Sequence, residues 1–269
     1  MNRCLKMELA RAFANRRMLP AVSFGLVLSI WHYFIYIFPL RGCVLAGGYP
    51  LSAYNKWLGG ESYSLQSTLF YLLIPLACAY PYGGSWLYDC TSSVGGQAIV
   101  RGGKRDFICA KLFVSFLNGA VIAILPLWFD FALTSTTFPA IMPQAGLGLS
   151  PIGPGALMGN LFYIHPFLYV SAYILLNGLF LGLLNTFTIA ARLFTRNKYM
   201  VLLMPFICYM ALHCAGTTLG RFEICPSGFL RPCQQFRTSW AILGMELLVM
   251  LAAGILSAVK YIREEHGLL

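Results

Sequence analysis

Acidic side chains are scarce: Asp and Glu together number 9 in a chain of 269 residues, and all charged residues make up 10%. A soluble domain carries about 25%. With so few charges the chain cannot cover a folded surface for water, which excludes a soluble globular protein. Hydrolase signatures are missing as well. There is no H-E-x-x-H, no G-x-S-x-G and no paired Asp or His set at hydrolase spacing, so an enzyme reading has no residues to stand on. The stretch DCTSSVGGQAIVRGGKRDFICAK hints at a phosphate loop through Gly103-Lys104. A Walker-type loop needs glycine where Ala98 stands and Ser or Thr where Arg105 stands, so this chain is expected to bind no nucleotide. Internal repeats and low-complexity linkers are also absent, which leaves one domain over residues 1–269.

What is present is apolar. Hydrophobic residues make up 58% and the mean hydropathy is +0.70. Six runs are long enough to be read as spans: residues 19–40, 65–82, 107–134, 166–190, 199–216 and 239–260. The first would reach about 33 Å as a helix, enough for a hydrocarbon core. Pro75, Pro126 and Pro205 lie inside three of them, where neighbouring helices can compensate the lost hydrogen bond. The expected class is an all-α integral membrane protein with six spans. Gly178 and Gly182 on the fourth span permit close helix contact.

Residues 1–18 carry five Lys/Arg and Glu8 and lack the short apolar core of a signal peptide. Leu5, Leu9, Ala12 and Phe13 recur at spacings of three and four, while Arg11, Asn15 and Arg17 lie mostly elsewhere on the wheel. This reads as a basic amphipathic helix on the membrane surface, with Arg11, Arg16 and Arg17 at the lipid interface. Lys104 and Lys111 read as interfacial anchors for the third span.

The cations are distributed unevenly. One side of a six-span chain would hold Arg3, Lys6, Arg11, Arg16, Arg17, Arg101, Lys104, Arg105, Lys111, Arg192, Arg196, Lys198, Lys260 and Arg263, fourteen in all. The other would hold Arg41, Lys56, Arg221, Arg231 and Arg237, five in all. This bias puts both termini in the cytoplasm and accounts for the net charge of +10 without nucleic acid.

A few residues inside or beside the spans are candidates for function. Glu246 lies in GMELLVML on the last span and Asp130 near the outer end of the third; carboxylates there are costly. Glu246 reads as a proton relay, as a contact for a cationic substrate group, or as a hydrogen bond between helices. Asp130 reads as a hydrogen bond between helices or a group reaching outer water, in preference to a proton relay or a contact for a cationic substrate group. His32 and His165 read as interface anchors. Cys225 and Cys233 flank a Pro-Gly turn on the outer side, where they read either as a disulfide-closed loop or as two free thiols. Cys43 and Cys214 are also near that face and leave the pairing open. His213 and Cys214 with Cys225 and Cys233 are soft-metal ligand types, but their spacing fits no compact metal motif, and no metal is assigned.

Three stretches together resemble the membrane subunits of ABC exporters of the second type: MELARAFANRR with Glu8, Arg11, Arg16 and Arg17; Ser85, Asp89, Gly95, Arg101, Arg105 and Lys111 after the second span; and YIHPFLYV before the fourth. The resemblance implies a permease that exports an amphipathic or hydrophobic compound, a peptide, lipid or drug, across the bacterial inner (cytoplasmic) membrane. It implies a partner ATPase that holds ATP and Mg, and a second permease copy or paralogue. It further implies a coupling helix over residues 85–101, with Ser85, Trp86, Asp89, Arg101 and Arg105 toward the ATPase and Trp86, Leu87 and Tyr88 as apolar knobs. The competing readings are a proton-coupled secondary transporter using Glu246 and a structural membrane subunit without transport.

Overall fold

The apolar runs fold as helices because nothing in them can satisfy backbone polar groups except the helix itself. In the computed structural model, residues 2–43, 45–46, 49–61, 64–143, 156–233 and 238–263 are described. The side chain of Arg101 and residues 144–155, in the loop expected on the outer side, lie outside what is described. Helix α1 (Asn2–Phe13) precedes α2 (Met18–His32), which continues through a π turn and a 3-10 turn to Leu40. The two-residue strands β1 (Leu45–Ala46) and β2 (Tyr49–Pro50) pair antiparallel. Then come α3 (Ala53–Lys56), α4 (Leu65–Ala79), α5 (Ser85–Thr91), α6 (Ser93–Gly102) and α7 (Lys104–Thr137). The chain continues with α8 (Gly159–Ile164), α9 (Pro166–Asn185), α10 (Phe187–Ala191), α11 (Lys198–Thr218), α12 (Pro226–Phe229) and α13 (Trp240–Arg263).

Five helical stretches are long and apolar enough to cross a membrane: Met18–Leu40, Lys104–Thr137, Pro166–Ala191, Lys198–Thr218 and Trp240–Arg263. The run at 65–82 behaves differently. Its helix, α4, has 15 residues, about 22 Å of rise, less than the roughly 30 Å of a hydrocarbon core. Its first turn lies beside Arg231, whose guanidinium stands over the Tyr71 ring, and the turn that follows it brings Tyr82 to Glu8. It packs against α2, α7, α9 and α11, so longer helices enclose it.

The most extensive helix pair is α7 with α9. Glycine makes it possible. A Cβ at Gly178 would stand 2.4 Å from the Ile124 Cδ1, and one at Gly182 would stand 2.8 Å from the Phe116 carbonyl oxygen. At the same interface the Asn185 amide donates to the Ser115 carbonyl at 2.8 Å, and the Ser115 hydroxyl donates to the Asn185 carbonyl at 3.2 Å. In lipid, apolar surface gives no drive for helices to associate, so close backbone approach and hydrogen bonds must supply it.

The bundle has two distinct ends. At one, α1, α5, α6, α10 and the last turns of α13 meet around Trp86, Phe107, Ile189 and Tyr261. At the other, α3, α8 and α12 cover the helix ends: the Tyr173 hydroxyl donates to the Leu157 carbonyl and the Asn177 amide to the Leu230 carbonyl. We expect Gly182→Val to destabilise the protein by about 1–3 kcal/mol through overpacking. Gly244→Val, where no atom lies within 4 Å of the added Cβ, should stay within about 0.5 kcal/mol. Unfolding in detergent micelles measures both.

Candidate functional site

The first end holds the densest cluster of charged side chains among the described residues. It begins with α1, whose apolar residues Leu5, Leu9 and Phe13 pack around Ala12, Tyr82 and Val114. That packing turns Glu8 inward, where it is fully buried. Arg11, one turn on, donates from Nη1 to Glu8 Oε1 at 2.9 Å and to Asp89 Oδ2 at 3.0 Å, and from Nη2 to Asp89 Oδ1 at 2.6 Å. Lys111 of α7 reaches the same place from the other side. Its Nζ lies 2.6 Å from Asp89 Oδ2 and 3.1 Å from Glu8 Oε2, and it donates to Ser85 Oγ at 3.3 Å. The Tyr82 hydroxyl donates to Glu8 Oε2, and the Lys111 ammonium stands over the Tyr82 and Phe107 rings. Two anions and two cations therefore close on one another, and each carboxylate oxygen has a partner.

Burial works against the Arg11 charge, but the hydrogen bond to Asp89 and the charges of Glu8 and Asp89 outweigh it and hold its pKa above the usual arginine range. The arrangement is a structural clamp. It ties α1, α5 and α7 together.

The segment expected as one coupling helix over residues 85–101 is two helices. Extended backbone at Ser92 separates α5 from α6. Gly95 of α6 lies against the Asp89 carbonyl, so that a Cβ there would stand 2.4 Å from it. Gly103 ends α6 at φ +82°, a left-handed conformation that favours glycine. The glycines of this segment thus set a sharp hairpin onto α7.

The residues read from the sequence fall into three groups. Ser85, Asp89, Arg11 and Lys111 are brought together, although they were divided between partner coupling and lipid contact. Lys111, expected at the lipid interface, is fully buried because Glu8 and Asp89 draw it into the bundle. Trp86, expected as an exposed knob, is buried with Leu87 because its ring packs on Phe107 and Tyr261; Tyr88 alone of that trio is exposed. Arg16, Arg17 and Arg105 are exposed and Lys104 is half-buried, apart from the clamp. Glu8 and Tyr82 complete the cluster. Glu8 was legible as the one acid in the basic leading segment, three residues before Arg11.

At the opposite end Asp130 is fully buried and does not reach water. It accepts from the Leu58 backbone N–H, and its Oδ1 lies 3.1 Å from His32 Nδ1. His32 is thus an interior residue and not an interface anchor. Glu246 faces the bundle from α13, and neither of its carboxylate oxygens has a hydrogen-bond partner among the described residues. Cys225 and Cys233, which read either as a disulfide-closed loop or as two thiols, are not joined by a disulfide in the structure, nor are Cys43 and Cys214. Cys225 turns its Sγ to the His213 carbonyl at 3.5 Å, and burial followed by the charge of Glu246 pushes its thiol up.

Comparison with protein-family models, with curated proteins and with solved structures finds no match for this chain.

Lys111→Met should destabilise the protein by about 3–5 kcal/mol, since it leaves Glu8 and Asp89 short of a buried counter-charge. Adding Glu8→Gln should cost less than the sum of the two single changes; a double-mutant unfolding cycle reads the coupling. Alkylation of the unfolded, unreduced protein should label both Cys225 and Cys233, and a linked peptide spanning them would contradict the absence of a disulfide between them.

Proposed function

We propose that this chain is the permease subunit of an ATP-driven exporter for an amphipathic or hydrophobic compound. In this reading α4 joins the five long helices as the second of six passes, and the end carrying α1, α5 and α6 faces the cytoplasm. The proposal rests on the resemblance of MELARAFANRR and of the Ser85–Lys111 stretch to such permeases. The observation that supports it best is the clamp of Glu8, Arg11, Asp89 and Lys111. A partner that moves the α5–α6 hairpin moves Asp89, and Asp89 cannot move without α1 and α7. The hairpin offers Tyr88 and Val100, 58% and 86% exposed, as apolar contacts for the partner. ATP and Mg would sit in that partner. The aromatic, nearly uncharged spans suit an apolar cargo, and a second copy or a paralogue would complete the path.

Glu246 favours a second reading, a proton-coupled transporter, because a buried carboxylate that has no hydrogen-bond partner among the described residues is costly unless it is used. Co-expression with the nucleotide-binding subunit encoded nearest to it separates the two. The permease reading expects a stable complex whose ATP hydrolysis depends on this chain, and expects Arg101→Glu with Arg105→Glu to weaken the association. If no ATPase co-purifies and Glu246→Gln abolishes proton-linked uptake in vesicles, the second reading replaces it.

A further inference from the structure

A cleft of about 440 Å³ opens beside the clamp, between the α1–α2 junction, the turn before α5 and the start of α11. Arg11, Arg17, Arg196 and Lys198 line it, and no Asp or Glu does. The clamp uses up the carboxylates nearby: Glu8 and Asp89 are buried behind the wall and neutralised by Arg11 and Lys111. Arg11 retains 26% exposure of its side chain. Arg17, Arg196 and Lys198 are exposed, and among the described residues no carboxylate pairs with any of them. Three cations around one concave space concentrate positive potential there and ask for an anion. Guanidinium groups match the oxygens of a phosphate.

The rim decides what kind of phosphate. Where α2 and α11 leave the cleft, their first turns expose Leu19 (72%), Tyr199 (75%) and Met200 (50%). Leu19 and Met200 lie on helices long and apolar enough to cross a membrane. A soluble phosphate compound would leave these side chains unused. A phospholipid places its phosphate in the cleft and its chains against them. We propose that the cleft holds the phosphate of an anionic phospholipid from the adjoining leaflet, with Arg17, Arg196 and Lys198 as its cationic ligands. The site does not depend on the ATPase reading, since it needs only a membrane at this end of the bundle.

Native mass spectrometry of the full chain, released from micelles doped with phosphatidylglycerol or phosphatidylcholine, tests it. The wild-type protein should retain phosphatidylglycerol in preference to phosphatidylcholine. Arg196→Gln with Lys198→Gln should weaken that retention about tenfold or more, from the loss of two surface charges. Arg16→Gln with Arg105→Gln removes the same charge from exposed positions that do not line the cleft, and it should retain the lipid as the wild type does. Matching unfolding temperatures in both variants establish that the fold is intact. Equal loss in the two variants would reduce the effect to diffuse charge and overturn the site. Displacement of the lipid by an equal concentration of inorganic phosphate would show that the chains contribute nothing and overturn the lipid assignment.

Discussion

Glu8, Arg11, Asp89 and Lys111 hold three separate stretches of chain in one arrangement, and the architecture of that end of the bundle follows from their pairing. Taking ions out of water costs several kcal/mol each. The cluster bears that cost because its formal charges cancel and all four carboxylate oxygens are bonded. Such a network adds little net stability over an apolar core of equal volume. Its effect here is geometric. Arg11 meets both oxygens of Asp89, so the position of α1 fixes that of α5, and Lys111 then fixes both on α7.

Helix α7 is the common strut. Lys111 enters the clamp near its start, and Asp130 meets His32 and Leu58 toward its end. The two positions are 19 residues apart on one helix, a rise of about 30 Å, close to the thickness of a hydrocarbon core. Between them α7 packs on α9 through Gly119, Gly178 and Gly182, whose lack of a side chain lets Ile124 and Phe116 of α7 and Asn185 of α9 fit against the facing backbone. On α7 itself the buried charges thus sit toward the two ends, while the contact with α9 between them relies on close packing and the Ser115–Asn185 hydrogen bonds. Ser29 follows the same logic: its hydroxyl donates to the Gly25 carbonyl in its own helix and to the Pro126 carbonyl across the interface.

The same logic separates residues that look alike in the chain. Lys104 and Lys111 stand two turns apart on one face of α7, and it is Lys111, deeper in the bundle, that reaches Glu8 and Asp89. Arg11 and Arg17 both follow Glu8, but Arg11 is one helical turn away from it, whereas Arg17 lies past the end of α1. Trp86 and Tyr88 sit on opposite faces of a helix of 7 residues, so one is core and the other surface. Burial of Trp86 against Tyr261 then links the hairpin to the far end of the chain.

Composition and hydropathy are sums over neighbouring residues, and what depends on them was legible directly. The helical class, the long apolar helices, the amphipathic face of α1 and the close contact allowed by Gly178 and Gly182 all belong there. Helix length at 65–82 was less so, because apolar character extends past Ala79 into a turn that hydropathy does not register. Apart from Glu8 and Arg11, one helical turn apart, the pairing of charges could not be read. Glu8 and Lys111 are 103 positions apart, and no local pattern distinguishes a lysine that snorkels to lipid from one that turns inward to a carboxylate. That choice belongs to the packing of α1, α5 and α7, which brings two acids to one point and gives a buried lysine its counter-charges there.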